Sequence, residues 1–301
     1  MAYKARSVSM VLKVLRILNK REKLTEDDLR YYQNQEKGFQ GELQFDKLTE
    51  KLQRDCHILN DLQLDSSKSS FQLDSSLIFQ DTLSLFEVKN FEGEYIYGAE
   101  YFKTISGRDI QNPLDQLKRS KLLLSNLLQS LGSKLTLEAY VIFINPQFTL
   151  FQTPPDLPFV LPTQLDNFMK KLDLKPSRLN QSHKNLADKL ISLHQTVPPN
   201  IHLPAYKYET IKKGMTCFGC ESFDVTVQGK KVVCLHCGCE EMVSSAILRM
   251  VGEYKLLFPE RKITTNEIHE WCRVVNSKKT INRTLGKHLV SKGVHQWSYY
   301  E

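Results

Sequence analysis

The order of apolar segments between residues 38 and 150 restricts the fold more than any other feature of this chain. Residues 38–57 carry leucines at helical spacing, and three runs of alternating apolar residues follow them. Residues 112–132 predict a helix with Asn112 as its N-cap, and residues 137–145 predict a buried strand. This α-β-β-β-α-β order predicts an α/β (α+β) fold, with a mixed central sheet flanked by helices.

Composition places the chain among globular intracellular proteins. It has 301 residues, of which 41% are hydrophobic and 25% charged. No apolar run approaches the roughly 18 residues of a membrane span, and the N-terminus lacks the apolar core of a secretory signal. Seven cysteines, an odd number, do not fit a secreted disulfide framework. We therefore expect a cytoplasmic protein without a membrane partner.

The charge is unevenly distributed along the chain. Residues 1–23 carry seven Lys or Arg against one Glu, and residues 249–301 carry ten against five. Because the formal net charge is +7, the middle of the chain is acidic. Basic ends predict contact with a polyanion, and an acidic middle predicts a cation site. Solvated lysines kept for solubility are the alternative explanation.

Polar residues recur at the edges of the predicted apolar elements. Glu87 and Lys89 lie two positions apart on a predicted strand and therefore share one face. Asp74 lies on the preceding strand, so a hairpin turn near residue 81 would bring it close to Glu87. Two adjacent carboxylates repel unless a proton or a metal ion intervenes, and Mg²⁺ prefers such ligands. Glu42 and Gln116 lie near the starts of the two flanking helices.

A Glu-x-Lys pattern alone is a weak signal, but four segments in order are specific. GFQGE, then LD before an apolar strand, FEVKNFEG and NPLDQLKR together resemble the nuclease-related (NERD) domain. That family is similar to the PD-(D/E)xK superfamily, whose fold is the restriction-endonuclease-like central sheet. The resemblance covers about residues 10–150. One departure is Leu73, which replaces the proline that the superfamily has before the aspartate.

The resemblance implies a site for metal-assisted phosphodiester hydrolysis. It makes Asp74 and Glu87 the residues that hold Mg²⁺ or Mn²⁺, and Lys89 the residue that activates the attacking water. Glu42 would be a ligand of a second site or an outer ligand, and Gln116 would orient the water or a phosphate. A cluster of structural ion pairs without activity is the alternative.

A cysteine cluster predicts a zinc ribbon in residues 211–243. Two CxxC knuckles are separated by 13 residues that read as a β-hairpin. Four thiolates in two such knuckles form a tetrahedral Zn²⁺ site, here of structural rather than catalytic type. The predicted ligands are Cys217, Cys220, Cys234 and Cys237. A redox dithiol remains an alternative, and Cys239 is a competing fourth ligand.

Residues 244–301 predict helices followed by a strand-like end, the order of a winged helix. This segment resembles the small winged-helix modules of phage and plasmid replication proteins, although it carries no specific motif. A helical cap or a protein-binding module is the alternative. Its expected nucleic-acid-binding residues are Lys278, Lys279, Asn282, Arg283 and Lys287. The Lys and Arg side chains would mainly bind phosphates, with Asn282 and Arg283 as candidates for base edges.

The sequence thus predicts five parts and a function for the whole chain. The parts are a basic helical extension (1–37), a nuclease-like domain (38–150), a helical connector (151–210), the zinc ribbon (211–243) and the winged-helix-like domain (244–301). Residues 8–18 predict an amphipathic helix packed on the domain that follows it. The expected function is a metal-dependent nuclease acting on nucleic acid, expected to be DNA. A catalytically silent nucleic-acid-binding protein is the main alternative, and a protein-interaction adaptor is a further one.

Overall fold

The computed structural model describes residues 1–66, 69–195, 202–293 and 298–301. Its helices are α1 (Met10–Arg21), α2 (Glu26–Thr49), α3 (Pro113–Ser130), α4 (Leu165–Asp173), α5 (Gln181–Ser192), α6 (Val243–Leu257), α7 (Thr265–Cys272) and α8 (Lys278–His288). Its strands are β1 (His57–Ser66), β2 (Ser69–Ile78), β3 (Thr82–Lys89), β4 (Gly93–Gly98), β5 (Tyr101–Thr104), β6 (Thr136–Phe143), β7 (Phe148–Phe151), β8 (Phe159–Val160), β9 (Val225–Gln228), β10 (Lys231–Cys234), β11 (Glu240–Met242), β12 (Ser291–Lys292) and β13 (Tyr299–Tyr300). Among the helices of these ranges, none has both the length and the apolar character needed to cross a membrane.

The chain divides into two compact units. The first unit comprises Met1–Ser9 and Gln33–Ile201, and the second comprises Met10–Tyr32 and His202–Glu301. Helix α1 therefore belongs with the C-terminal half, and its apolar face joins that unit's core. The expectation that this helix packs on the domain following it in sequence is wrong. The finer division into five parts stays a prediction, and residues 196–201 of the predicted connector lie outside the described residues.

The first unit is built on a five-stranded mixed sheet in the order β1-β2-β3-β6-β8. Strands β1, β2 and β3 are antiparallel neighbours, whereas β6 runs parallel to both β3 and β8. Helix α3 makes the crossover between the parallel strands β3 and β6. Asn112 caps it by accepting a hydrogen bond from the Leu114 N–H, as the sequence predicts. The predicted mixed sheet flanked by helices is confirmed.

Side chains alternate between the two faces of strand β3. Leu83 and Leu85 join a core cluster with apolar residues of α3 and α5, whereas Phe86 and Val88 join a second cluster on the other face. The second cluster contains Phe45 of α2, and partly buried residues of α4 pack against it. The central sheet is therefore covered on both faces, which leaves polar side chains of β3 to face a helix rather than bulk water.

Two boundaries differ from the sequence prediction. Helix α2 begins at Glu26, twelve residues before the predicted start, because Gly38 and Gly41 resemble a helix boundary but lie inside the helix. The run after Val88 is not one continuous strand. It breaks after Lys89, and β4 joins a separate three-stranded sheet in the order β5-β4-β7. The glycine at position 93, with a φ of 93°, permits this change of direction.

The second unit combines a β-hairpin segment with helices. Strands β9, β10 and β11 form an antiparallel sheet, and the turn between β9 and β10 contains Gly229 at a φ of 60°. Helices α6, α7 and α8 surround a core centred on the fully buried Trp271. Strands β12 and β13 pair, and Ile263 bridges Tyr300 beside them. Residues 294–297 of the predicted terminal strand region lie outside the described residues.

Candidate functional site

The central sheet places Asp74 opposite Glu87. The backbone pairing of β2 with β3 ends at Ser75 and Phe86, so the next position on each strand is Asp74 and Glu87. Beyond this point the Asp74 Oδ2 atom accepts a hydrogen bond of 2.8 Å from the Val88 N–H. An aspartate side chain thus replaces the partner strand's carbonyl, and the two carboxylates meet where β2 and β3 separate. The predicted approach of these residues across the hairpin is confirmed.

Lys89 joins the strand to helix α3. Its Nζ donates to Glu87 Oε1 at 2.7 Å and to Gln116 Oε1 at 2.9 Å. Glu87 is only 2% exposed, whereas the Lys89 side chain keeps 19% of its surface exposed. A buried carboxylate and a mostly buried lysine therefore share one face of β3, and Gln116 of α3 accepts a hydrogen bond from the ammonium.

Burial raises the pKa values of the carboxylates in this cluster. Burial, followed by the charge of Asp74, raises the pKa of Glu87 to about 8, and the same two causes raise the pKa of Glu42 to about 8. Burial also raises the pKa of Asp74. For Lys89, burial alone would lower the pKa, but the carboxylates of Glu87 and Asp74 outweigh it and the pKa is raised.

Glu42 reaches the same region from helix α2, but its closest partner is an arginine from the N-terminal segment. Arg6 Nη1 donates to Glu42 Oε2 at 2.7 Å. The same guanidinium donates from Nε and Nη2 to the two carboxylate oxygens of Asp46, both at 2.8 Å, and from Nη2 to the Asp74 carbonyl at 2.7 Å. The Arg6 side chain is 2% exposed, so these three residues enclose it.

Sequence reasoning did not identify Arg6 or Asp46 as members of the site. Arg6 is one of seven basic residues in the first 23 positions, and it is 36 to 68 residues away from its partners in the chain. Asp46 lies one helical turn after Glu42, on the same face of α2, which is the only signal that could have indicated it.

The acidic site fits a hard divalent cation by the chemistry of its donors. Asp74 and Glu87 supply neighbouring carboxylates, and burial, the largest cause, raises the pKa of both. Mg²⁺ characteristically uses one or two protein carboxylates and retains water ligands. Within the described part of the chain, the site does not bring three carboxylates within 4.8 Å of one another.

The predicted zinc ligands converge in the second unit. Cys217, Cys220, Cys234 and Cys237 place their Sγ atoms within 4.8 Å of one another, the only set of three or more potential Cys, His, Asp or Glu ligands that does so among the described residues. The Cys217–Cys237 and Cys220–Cys234 Sγ distances are both 3.6 Å. A tetrahedron with Zn–S bonds of about 2.3 Å has edges of about 3.8 Å. The cluster is therefore compatible with a zinc ribbon.

The expected nucleic-acid-binding residues lie on one exposed surface of α8. Ile281 and Leu285 of this helix are fully buried. The five predicted residues, Lys278, Lys279, Asn282, Arg283 and Lys287, are all exposed. Helix α8 thus separates an apolar inner face from a basic outer face, as the sequence predicts.

One part of the chain matches a family of known proteins. No curated protein and no solved structure matches the chain. The model of one family, described as the nuclease-related domain, matches residues 37–144, the segment that contains β1–β6, α3 and every predicted residue of the acidic site. The cluster of Glu42, Asp74, Glu87, Lys89 and Gln116 thus lies within the segment that matches the nuclease-related (NERD) domain.

Proposed function

We propose that this protein is a metal-dependent nuclease that hydrolyses phosphodiester bonds in DNA. The observation that carries the proposal is the position of Lys89, whose ammonium links the buried Glu87 to Gln116 at the point where Asp74 faces Glu87. Two carboxylates, a cation and an amide on rigid elements provide a metal site next to groups that can position water and phosphate.

The position of each residue in the acidic site indicates its role in the proposed reaction. Asp74 and Glu87 would hold a divalent cation, which supplies Lewis acidity and a water of lowered pKa when bound. Lys89 donates hydrogen bonds and would orient the attacking water and a non-bridging phosphate oxygen. Gln116 holds the Lys89 ammonium in place from α3. Burial of Glu87 on the central strand β3 excludes bulk water from one side of the site.

The second unit would supply nucleic-acid binding. Helix α6, Ile263 (which bridges Tyr300), helices α7 and α8 and the β12–β13 pair follow one another in the order of a winged helix. In that arrangement α8 enters the major groove, where Asn282 and Arg283 can reach base edges while the lysines bind phosphates. The cysteine cluster would hold Zn²⁺ as a structural ion, because four thiolates leave no open position.

A plasmid-nicking assay tests the proposed activity. Zinc-loaded full-length protein should nick supercoiled DNA with Mg²⁺ or Mn²⁺ and not when the divalent ion is omitted. Omission is preferable to EDTA, which would also remove zinc. Glu87→Gln and Lys89→Met should each lower the rate by about 100-fold or more, since each removes a group at the reacting atoms.

Glu138→Gln is the matched control. Glu138 lies on β6 of the same sheet and pairs with Lys175, and it is 30% exposed and outside the acidic site. This variant should retain wild-type nicking. Activity that survives both Glu87→Gln and Lys89→Met would refute the site assignment. DNA binding without cleavage by the wild type under every metal condition would instead favour the catalytically silent alternative.

A further inference from the structure

Arg6 is attached to the acidic site by a docked N-terminal segment. Lys4 forms a parallel bridge with Leu59 of the edge strand β1, with backbone hydrogen bonds of 3.0 Å to Ile58 and from Asn60. The Lys4 ammonium also donates to the carbonyls of Asn60 and Asp61, both at 2.7 Å. The backbone pairing of Lys4 with β1 and the hydrogen bonds of its ammonium thus fix the position of Arg6, two residues later.

A local break in the sheet exposes the carbonyl that Arg6 contacts. The β1–β2 pairing runs through Asn60–Ser75 and Leu62–Leu73, so Asp61 lies opposite Asp74. Asp61 has a φ of 54°, in the left-handed region that non-glycine residues rarely adopt. No ladder pair is formed between these two residues, and the Asp74 carbonyl accepts from Arg6 instead. The guanidinium is therefore bound to a residue that also supplies a candidate metal ligand.

Arg6 occupies the region in which a second metal ion would need ligands. Two-metal nucleases hold their ions about 3.5–4 Å apart, with carboxylates on both. Here the carboxylates next to the Asp74–Glu87 pair are Glu42 and Asp46, and both are engaged by the guanidinium at 2.7–2.8 Å. The fixed, planar arginine offers these carboxylates directed hydrogen bonds that a hydrated ion would have to displace.

The charges of the site agree with a single ion. Four carboxylates, those of Glu42, Asp46, Asp74 and Glu87, face two cationic side chains, those of Arg6 and Lys89. The nearby charges of Asp61 and Lys4 cancel each other. Full ionisation leaves two negative charges, which one divalent cation balances. Without Arg6 three negative charges would remain, and a second cation would be favoured.

We propose that Arg6 takes the place of a second metal ion and makes the acidic site mononuclear. Asp74 and Glu87 bind one divalent cation, and Arg6 holds Glu42 outside direct coordination. Arg6 is a positioning residue, since it acts through the carboxylates that it binds. The inference rests on the proposed function, because it assumes that the acidic site takes a divalent cation.

Counting bound Mn²⁺ on the zinc-loaded full chain tests this inference. The loss of the sharp EPR signal of free Mn²⁺ gives the number bound, and exchange broadening reveals two ions close together. The wild type should bind one Mn²⁺, and Arg6→Gln should bind a second one. Asp74→Asn should bind none, and Glu42→Gln should still bind one. Lys47→Gln, which removes an exposed cation next to Asp46 on α2, should keep the wild-type count.

The outcomes separate this inference from the proposed function. Two Mn²⁺ on the wild type, with a coupled spectrum, would overturn the mononuclear site while leaving the metal-dependent nuclease intact. One Mn²⁺ on both wild type and folded Arg6→Gln would overturn the role of Arg6. Loss of Mn²⁺ from Glu42→Gln would make Glu42 a direct ligand and would also overturn it. No Mn²⁺ on the wild type would refute both proposals. If Arg6→Gln does not fold, the wild-type count still decides whether the site is mononuclear, and the Glu42→Gln count decides whether Glu42 is a direct ligand.

Discussion

Glu87 combines two demands that oppose each other. Its side chain is 2% exposed on a strand that packs on both faces, yet its carboxylate must be ionised to bind a cation. Burial and the neighbouring Asp74 raise its pKa from the ordinary 4.5 to about 8, despite the ion pair with Lys89. In the absence of a cation, the folded protein therefore holds the Glu87 proton more tightly than the unfolded chain does.

This pKa shift predicts how the stability of the magnesium-free protein depends on pH. The contribution of Glu87 is fully present below pH 4.5 and is lost as the pH rises through about 8. Each pKa unit corresponds to about 1.4 kcal/mol. The side chain of the Glu87→Gln variant cannot titrate. Between pH 6 and pH 8.5 the melting temperature of this variant should therefore fall less than that of the wild type. The difference should be about 2–4 °C for each kcal/mol of stability that Glu87 loses over this range. Thermal melts without Mg²⁺ measure this slope.

Two comparisons control for other effects of the substitution. Glu138→Gln on the neighbouring strand β6 should keep the wild-type pH slope, since Glu138 lies outside the acidic site. Added Mg²⁺ should stabilise the wild type at pH 8.5 and should stabilise Glu87→Gln much less. Equal pH slopes in the wild type and Glu87→Gln would contradict the raised pKa.

Individual residues of the site differ in how far sequence could predict them. Asp74, Glu87 and Lys89 lie on two strands joined by a short turn, so alternation and hairpin geometry were sufficient to bring them together. The position of Gln116 could be predicted because the sequence marks where helix α3 begins. Arg6 could not be predicted, because the pairing that places it is a single bridge at the sheet edge and has no periodic signal.

At the scale of elements, Gly41 sets how closely helix α2 approaches the end of β3. A Cβ atom at this position would lie 2.5 Å from the Asn90 Cβ and 3.2 Å from a methyl group of Ile144. Asn90 cannot easily move, since its amide donates to the Lys37 carbonyl at 2.7 Å and accepts from Asn145 at 3.1 Å. The glycine next to Glu42 thus allows the helix to bring that carboxylate to the site.

Gly41→Ala should therefore destabilise the protein even though alanine is the better helix former. We expect a loss of about 1–3 kcal/mol in the free energy of unfolding, from overpacking against Asn90. Gly38→Ala is the matched control in the same helix. No atom lies within 4 Å of its added Cβ, so propensity alone should stabilise the protein by up to about 1 kcal/mol. Urea denaturation measures both variants, and equal stabilities would refute the close-approach argument.

The cysteine-rich hairpin is an element that we expect to depend on a bound ion. The β9–β11 sheet has strands of three or four residues, and its strand residues are mostly half-buried or exposed. Such a small core does not stabilise itself, and metal binding would supply the folding free energy. Cys217→Ser should lower bound zinc from one ion per chain, whereas Cys56→Ser, outside the cluster, should not. Elemental analysis of purified protein gives the ratio, and zinc retained in full by Cys217→Ser would contradict the site.

At the scale of the whole molecule, sequence patterns identified elements better than they identified units. The helix of residues 10–21 was expected from its apolar spacing, yet the same spacing does not say which core it joins. Val14, Ile17 and Leu18 pack with Ile247 and Met250 of α6, more than 200 residues later in the chain. A helix that precedes one unit in sequence and belongs to another can be recognised only from the packing itself.

The charge of the whole molecule also predicts how DNA binding depends on salt. If α8 binds phosphates, Lys279→Gln and Lys287→Gln should each reduce the slope of log K against log salt by about 0.9, because each removes one released counterion. Lys171→Gln, an exposed lysine of α4, should leave the slope unchanged. Titrations of a labelled duplex at several salt concentrations, with Mg²⁺ omitted to prevent cleavage, give the slopes. An unchanged slope in both α8 variants would exclude this helix as the phosphate-binding surface, whereas a reduced slope also in Lys171→Gln would show that binding follows overall charge rather than this surface.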